Sequence, residues 1–165
     1  MDSMKKTISF LVLITLISIS VFGKEEASVT PGNLTCEYLT NPTSLDVVRP
    51  RFSWTLLPAD ESAYGQRQTA YRILVGSSMQ KRIDHSGDMW DSGWIESDNM
   101  RLVEYEGKPL QSDQKYYWSV SVKDEKGRIS PGKRAEWTTG LFSRDEWTAK
   151  WIGTDETYDP AKGPN

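Results

Sequence analysis

Leu110-Gln-Ser-Asp-Gln-Lys-Tyr116-Tyr-Trp-Ser-Val-Ser-Val-Lys123 is the stretch whose reading decides the fold. Within it Tyr116, Trp118, Val120 and Val122 alternate with Tyr117, Ser119, Ser121 and Lys123. That period of two is what a half-buried β-strand requires. Leu110, six residues ahead of Tyr116, completes the layout of a tyrosine corner, in which the phenol hydroxyl bonds to backbone upstream. Asp124-Glu125-Lys126-Gly127 then reads as a hairpin turn, its glycine able to take the positive φ such loops need. Residues 135–139 are the expected returning strand.

Working outward, residues 50–57 set Phe52, Trp54 and Leu56 on one face against Arg51, Ser53 and Thr55 on the other. Residues 66–76 do the same with Tyr71, Ile73 and Val75 against Arg72 and Leu74. Shorter strands are expected at 34–39, at 90–95 with a break at Ser92-Gly93, and at 102–105. Turn signals separate these runs, and no stretch has the period of an amphipathic helix. Six to eight short strands of this kind predict an all-β, immunoglobulin-like sandwich. With Trp54 inward on an early strand and Cys36 as the single cysteine, a fibronectin type III-like sandwich fits better than a disulfide-bonded immunoglobulin domain. Trp54, Tyr71, Leu110, Tyr116 and Trp118 are the expected structural residues.

A chain of 165 residues, 37% hydrophobic and 26% charged, allows one globular core. It excludes a (β/α)₈ barrel, which needs roughly 250 residues. Residues 1–23 are set apart: Lys5 and Lys6 precede an apolar run from Ile8 to Phe22, the pattern of a secretory signal peptide. That run is shorter than the ~20 residues of a membrane span, and no cysteine near Gly23 invites a lipid. The expected location is therefore secreted, periplasmic or extracellular, with no membrane contact after cleavage. The expected divisions are a linker over 24–33, the sandwich over 34–140, and over 141–165 a linker with the truncated start of a following domain. Trp147 and Trp151 would make contact with that domain.

Without residues 1–23, which hold Lys5, Lys6 and Asp2, 18 basic and 22 acidic side chains remain. No basic stripe of the kind nucleic acids attract is present. A single histidine, His85, and a single cysteine exclude a zinc site on His/Cys spacing, and no cofactor is expected.

Asp88, Asp91, Glu96 and Asp98 lie near Trp90 and Trp94, whose indoles can stack on a sugar ring. The plainer reading is that Asp88 and Asp98 are solvated, Asp91 braces the turn before Gly93, and at least one of the two tryptophans fills the core. Trp90 and Trp94 are kept as the candidate substrate-binding pair, with no catalytic residue assigned. Trp137 reads as packing. Arg49, Arg51 and Arg72 could clamp a carboxylate, but sheet-face arginines are expected to snorkel or pair with acids, and His85 to lie on a polar loop. Asp155, Glu156 and Asp159 lack the glycine turn of a calcium loop.

Six runs, in order, carry a resemblance: Cys36-Glu-Tyr-Leu-Thr-Asn-Pro42, Arg49-Pro-Arg-Phe-Ser-Trp54, Gln68-Thr-Ala-Tyr-Arg-Ile73, Trp90-Asp-Ser-Gly93, Tyr116-Tyr-Trp-Ser-Val120 and Trp137-Thr-Thr-Gly140. Together they resemble the N-terminal module of bacterial α-L-rhamnosidases of glycoside hydrolase family 78. Trp147-Thr-Ala-Lys-Trp-Ile152 is similar to that family's entry into its next β-sandwich. The resemblance implies a fibronectin-like module followed by further sandwiches, an (α/α)₆ barrel and a C-terminal sandwich. It implies hydrolysis of terminal α-L-rhamnose with inversion, by an acid and a base of the barrel, none of which has a counterpart in this sequence. The implied partners are the following domains and rhamnose-containing glycans. The implied bacterial origin leaves the Asn33-Leu-Thr35 sequon idle.

Overall fold

A computed structural model describes residues 26–83 and 87–150. Within them run eight strands: β1 (Val29–Cys36), β2 (Arg51–Pro58), β3 (Gln68–Gly76), β4 (Trp90–Asp91), β5 (Ile95–Glu96), β6 (Val103–Glu104), β7 (Lys115–Asp124) and β8 (Ile129–Thr138). One sheet has the order β1-β2-β6; the other has the order β4-β3-β7-β8, with β5 also paired to β3. Every pairing between these strands is antiparallel. The result is an all-β, immunoglobulin-like sandwich.

The alternating side chains meet between the sheets. Phe52 and Trp54 of β2 face Tyr71, Ile73 and Val75 of β3, and Tyr116, Trp118, Val120 and Val122 of β7. The Phe52 ring lies 4.4 Å from Trp118 and 5.4 Å from Trp137, and Tyr116 stacks on Trp137 at 5.3 Å. Such rings bury about 150–250 Å² each, a gross transfer of roughly 4–6 kcal/mol per ring before conformational entropy is set against it. Trp54 is tethered as well as packed, its Nε1–H donating to Gln68 Oε1 at 2.9 Å. Among the described residues the indole N–H groups of Trp118 and Trp137 have no such partner, so these two side chains serve the core chiefly as apolar volume.

Tyr116 closes the corner: its hydroxyl oxygen accepts the Gln111 N–H at 2.8 Å, one residue past Leu110, which packs on the core's margin. At the other end of β7 the four-residue loop to β8 places Gly127 at φ +74°, the left-handed conformation the turn requires.

Four sequence expectations change. The linker over 24–33 is a strand from Val29 onward: Val29, Pro31 and Gly32 are buried, and β1 pairs with β2 from Val29↔Pro58 to Cys36↔Phe52. Pro31-Gly32 resembles a linker, but an edge strand tolerates proline. A Cβ at Gly32 would meet the Leu57 side chain at 2.6 Å, so a larger residue there would have to push that exposed leucine aside. The strand expected at 34–39 ends at Cys36, where Glu37 and Tyr38 take positive φ and turn Leu39 back onto it. The returning strand starts at Ile129 rather than 135, and a short helix, α1 (Met79–Ile83), follows β3. The remaining strands start or stop within three residues of their expected bounds.

The chain enters and leaves at opposite poles. Ser28 N–H donates to Asp124 Oδ2 at 2.9 Å, fixing the entry beside the β7–β8 hairpin. Thr139 N–H donates to Gln114 O at 2.9 Å, fixing the exit at the start of β7. A strand of ten residues separates them, about 30 Å at the usual rise per residue.

Candidate functional site

Trp90 and Trp94 flank the edge of the five-stranded sheet but in different settings. Trp90 pairs opposite Val75 and is half-buried. Its ring stacks toward Phe52 at 6.4 Å and meets Tyr105 edge-on at 5.5 Å. Gly107 lies so close that a Cβ there would stand 2.6 Å from Trp90 Cβ and 2.5 Å from the Tyr105 hydroxyl. The Tyr105 hydroxyl donates toward Lys108 O at 2.8 Å, and burial, reinforced by the Tyr116 and Asp88 charges, pushes its phenol upward. Trp90 thus continues the aromatic core to its margin. Trp94, also half-buried, lies past the Ser92-Gly93 break, with the Lys123 ammonium 4.8 Å from its ring centroid. That is the distance of a cation–π contact.

The carboxylates around them are committed. Asp91 accepts Arg72 Nε at 2.9 Å, Arg72 Nη2 at 2.6 Å and the Gly93 N–H at 2.9 Å. The Arg72 guanidinium outweighs burial and holds the Asp91 carboxyl below its ordinary value. Burial opposes ionisation of Asp88, but the Ser77 hydroxyl and N–H, with Lys81, overcome it and lower its pKa. Glu96 pairs with Lys123 at 3.4 Å, and Asp98 is exposed. A general acid near neutrality needs a raised carboxyl pKa; Asp88 and Asp91 are shifted the other way. Arg49 and Arg51, like Arg72, face acids, Glu104 at 3.5 Å and Glu37 at 2.7 Å. Among the described residues no three of His, Cys, Asp and Glu gather as metal ligands, and no helix is long and apolar enough to cross a membrane. His85, Trp151, Asp155, Glu156, Asp159 and the leader expected at 1–23 lie outside the described residues.

The exit pole carries groups that sequence reasoning treated as linker. Past β8, Thr139 Oγ1 donates to Gln111 O at 2.6 Å and Asp113 N–H donates to Gly140 O at 3.1 Å. These bonds tie the tyrosine-corner loop to the departing chain. A 3₁₀ turn, Arg144–Glu146, follows with a capping box: Ser143 Oγ accepts Asp145 N–H, and the Glu146 carboxylate accepts Ser143 N–H. The same Glu146 oxygen accepts Ser112 Oγ at 2.6 Å and Phe142 N–H at 3.1 Å. Ser143-x-x-Glu146 is the sequence signature of a capping box and was the available signal. Trp147, next along, is 64% exposed and borders a shallow recess lined by Ser44, Asp46, Asp113, Thr139, Gly140 and Leu141.

A two-sheet core closed by a tyrosine corner, with its carboxylates paired off and an aromatic residue presented at its exit, defines an immunoglobulin-like module. Residues 31–143 match the family described as Rha78A-like, N-terminal immunoglobulin domain, and the chain belongs to it. An α-L-rhamnosidase of Streptomyces avermitilis is 43% identical over 117 residues, 70% of this chain and 11% of that protein. The structure of Streptomyces avermitilis α-L-rhamnosidase complexed with L-rhamnose matches with a TM-score of 0.69 at 39% identity, over 76% of this chain and 12% of that one. The α-L-rhamnosidase of Dictyoglumus thermophilum gives a TM-score of 0.70 at 38% identity, over 77% and 14%. The chain spans 11–15% of the length of the curated relatives it matches.

Proposed function

We propose that this chain is the non-catalytic N-terminal accessory module of a secreted α-L-rhamnosidase. In that enzyme terminal α-L-rhamnose is hydrolysed with inversion by an acid and a base on a separate (α/α)₆ barrel. The module packs against the domains that follow, making contact through Trp147 and Trp151. The observation that carries this reading is the family match over residues 31–143. The committed state of Asp88 and Asp91 supports the non-catalytic part, since an inverting pair needs one carboxyl protonated.

The test is direct. Residues 24–165, assayed with an aryl α-L-rhamnoside, are expected to give no turnover, while the complete gene product hydrolyses it. Turnover by residues 24–165 would overturn the reading. Secretion rests on the leader pattern, and N-terminal sequencing of the exported protein is expected to begin at Lys24.

A second reading, a carbohydrate-binding module using Trp90 and Trp94, draws support from the position of Trp94 beside Lys123 at the sheet margin. Titration of L-rhamnose against tryptophan fluorescence separates the two. Binding that Trp94→Ala abolishes without unfolding favours the second; unfolding by that substitution favours packing.

A further inference from the structure

Among the exposed apolar side chains, Trp147 is the largest, and with Leu141 it borders one recess on backbone that side-chain bonds hold. Tyr64, fully exposed, sits on the loop after β2. Trp147 instead sits one residue beyond Glu146, whose single oxygen gathers Ser112 Oγ, Phe142 N–H and Ser143 N–H. Ser112 in turn belongs to the corner loop that Tyr116 anchors from the core. A continuous set of bonds therefore runs from the buried Tyr116 to an indole held in solvent. A large exposed aromatic on an ordered support marks a contact surface, and fixing it beforehand removes much of the entropy a partner must otherwise overcome.

The family's module is N-terminal and amounts to 11–15% of its relatives' length, so in those proteins the bulk of the chain departs from this pole. The entry, at Ser28, is a strand length away. We infer that Leu141, Trp147 and the recess beside them form a rigid docking platform for the domain directly following in the same polypeptide, with Glu146 as its positioning residue. This rests on the accessory-module reading and deepens it. The module is a fixed strut, its angle set by the Glu146 bonds, and the segment after β8 is a coupling rather than a flexible linker.

Tryptic cleavage after Arg144 reads both halves. In the 165-residue chain, Glu146→Ala speeds this cleavage about tenfold, the effect of losing a local restraint of order 1.4 kcal/mol. Glu146→Gln, which keeps one carbonyl oxygen for the same donors, stays near the wild-type rate. Trp147→Ala changes nothing in this chain. In the complete gene product Trp147→Ala speeds cleavage by at least about tenfold, as truncation of an interface tryptophan does. Equal rates for Glu146→Ala and wild type in the short chain, or for Trp147→Ala and wild type in the complete product, overturn the proposal. So does dimerisation of the short chain through Trp147 in sedimentation equilibrium. Loss of the rhamnosidase reading shows separately, as absent turnover of the aryl rhamnoside by a complete product whose Arg144 site is still protected by Trp147.

Discussion

Two carboxylates, one at each pole, gather backbone N–H groups, and they differ mainly in how far water reaches them. Asp124 accepts four bonds, from the N–H groups of Ser28, Lys126 and Arg128 and from Arg128 Nε. Its side chain is wholly buried. Burial by itself raises its pKa, but those donors overcome it and hold the carboxyl at about 2. Glu146 accepts three bonds of similar length in the open, and its carboxyl is lowered chiefly by the Ser112 hydroxyl. The same chemistry stabilises the fold at one pole and fixes an angle at the other. A wholly buried carboxylate that gathers four donors is structural; an exposed one contributes local order.

This contrast can be broken in several ways. Asp124→Ala removes the shared acceptor of three part-buried N–H groups and of Arg128 Nε, and is expected to cost about 3 kcal/mol in urea denaturation. A loss under 1 kcal/mol would erase the difference between the poles. The acid limb tests the same group without a cavity. The folded pKa of about 2 lies below the ordinary 3.8, so its stabilisation is complete above roughly pH 4 and is lost as pH falls through 2, about 2.5 kcal/mol in all. Wild type should therefore lose more stability than Asp124→Ala between pH 5 and pH 2; parallel curves would contradict the assignment.

Tyr116→Phe, which removes the buried phenol oxygen that accepts the Gln111 N–H, should cost roughly 2 kcal/mol. A result within noise would detach the exit pole from the core. The smallest effect is expected for Glu146→Ala: an unchanged global midpoint, with only the local cleavage after Arg144 accelerated. A clear drop in midpoint would make Glu146 structural after all.

Strands β2, β3 and β7 were legible because each puts one face to the core, and Phe52, Trp54, Ile73 and Val120 announce it by period. Edge strands lack that signature. β1 begins Val29-Thr-Pro-Gly, and its place is fixed by pairing with β2 across the loop that joins them and by the Ser28–Asp124 bond before it. The first half of β8, Ile129-Ser-Pro-Gly, reads as loop for the same reason, with a register shift opposite Val120 and Val122. The pairing of the arginines with acids could be anticipated, although not which acid each would meet. Asp124 looked like a turn residue, and nothing local connects it to Ser28, 96 positions earlier. At Trp90 and Trp94 sequence supplied the aromatic type but not the half-burial of each ring, which depends on Phe52, Tyr105 and Lys123 arriving from distant strands.

Cys36, the only cysteine, gives the sandwich a measuring device. It lies opposite Phe52 between the sheets, and burial, with the Glu37 charge beside it, pushes its thiol up to about 12. At neutral pH about one molecule in 10⁵ would carry the thiolate that alkylating reagents attack. Modification of the native chain must then wait for the β1–β2 edge to part from the core. The labelling rate is therefore a clock for opening of the β1–β2 edge around Cys36, with no engineered probe.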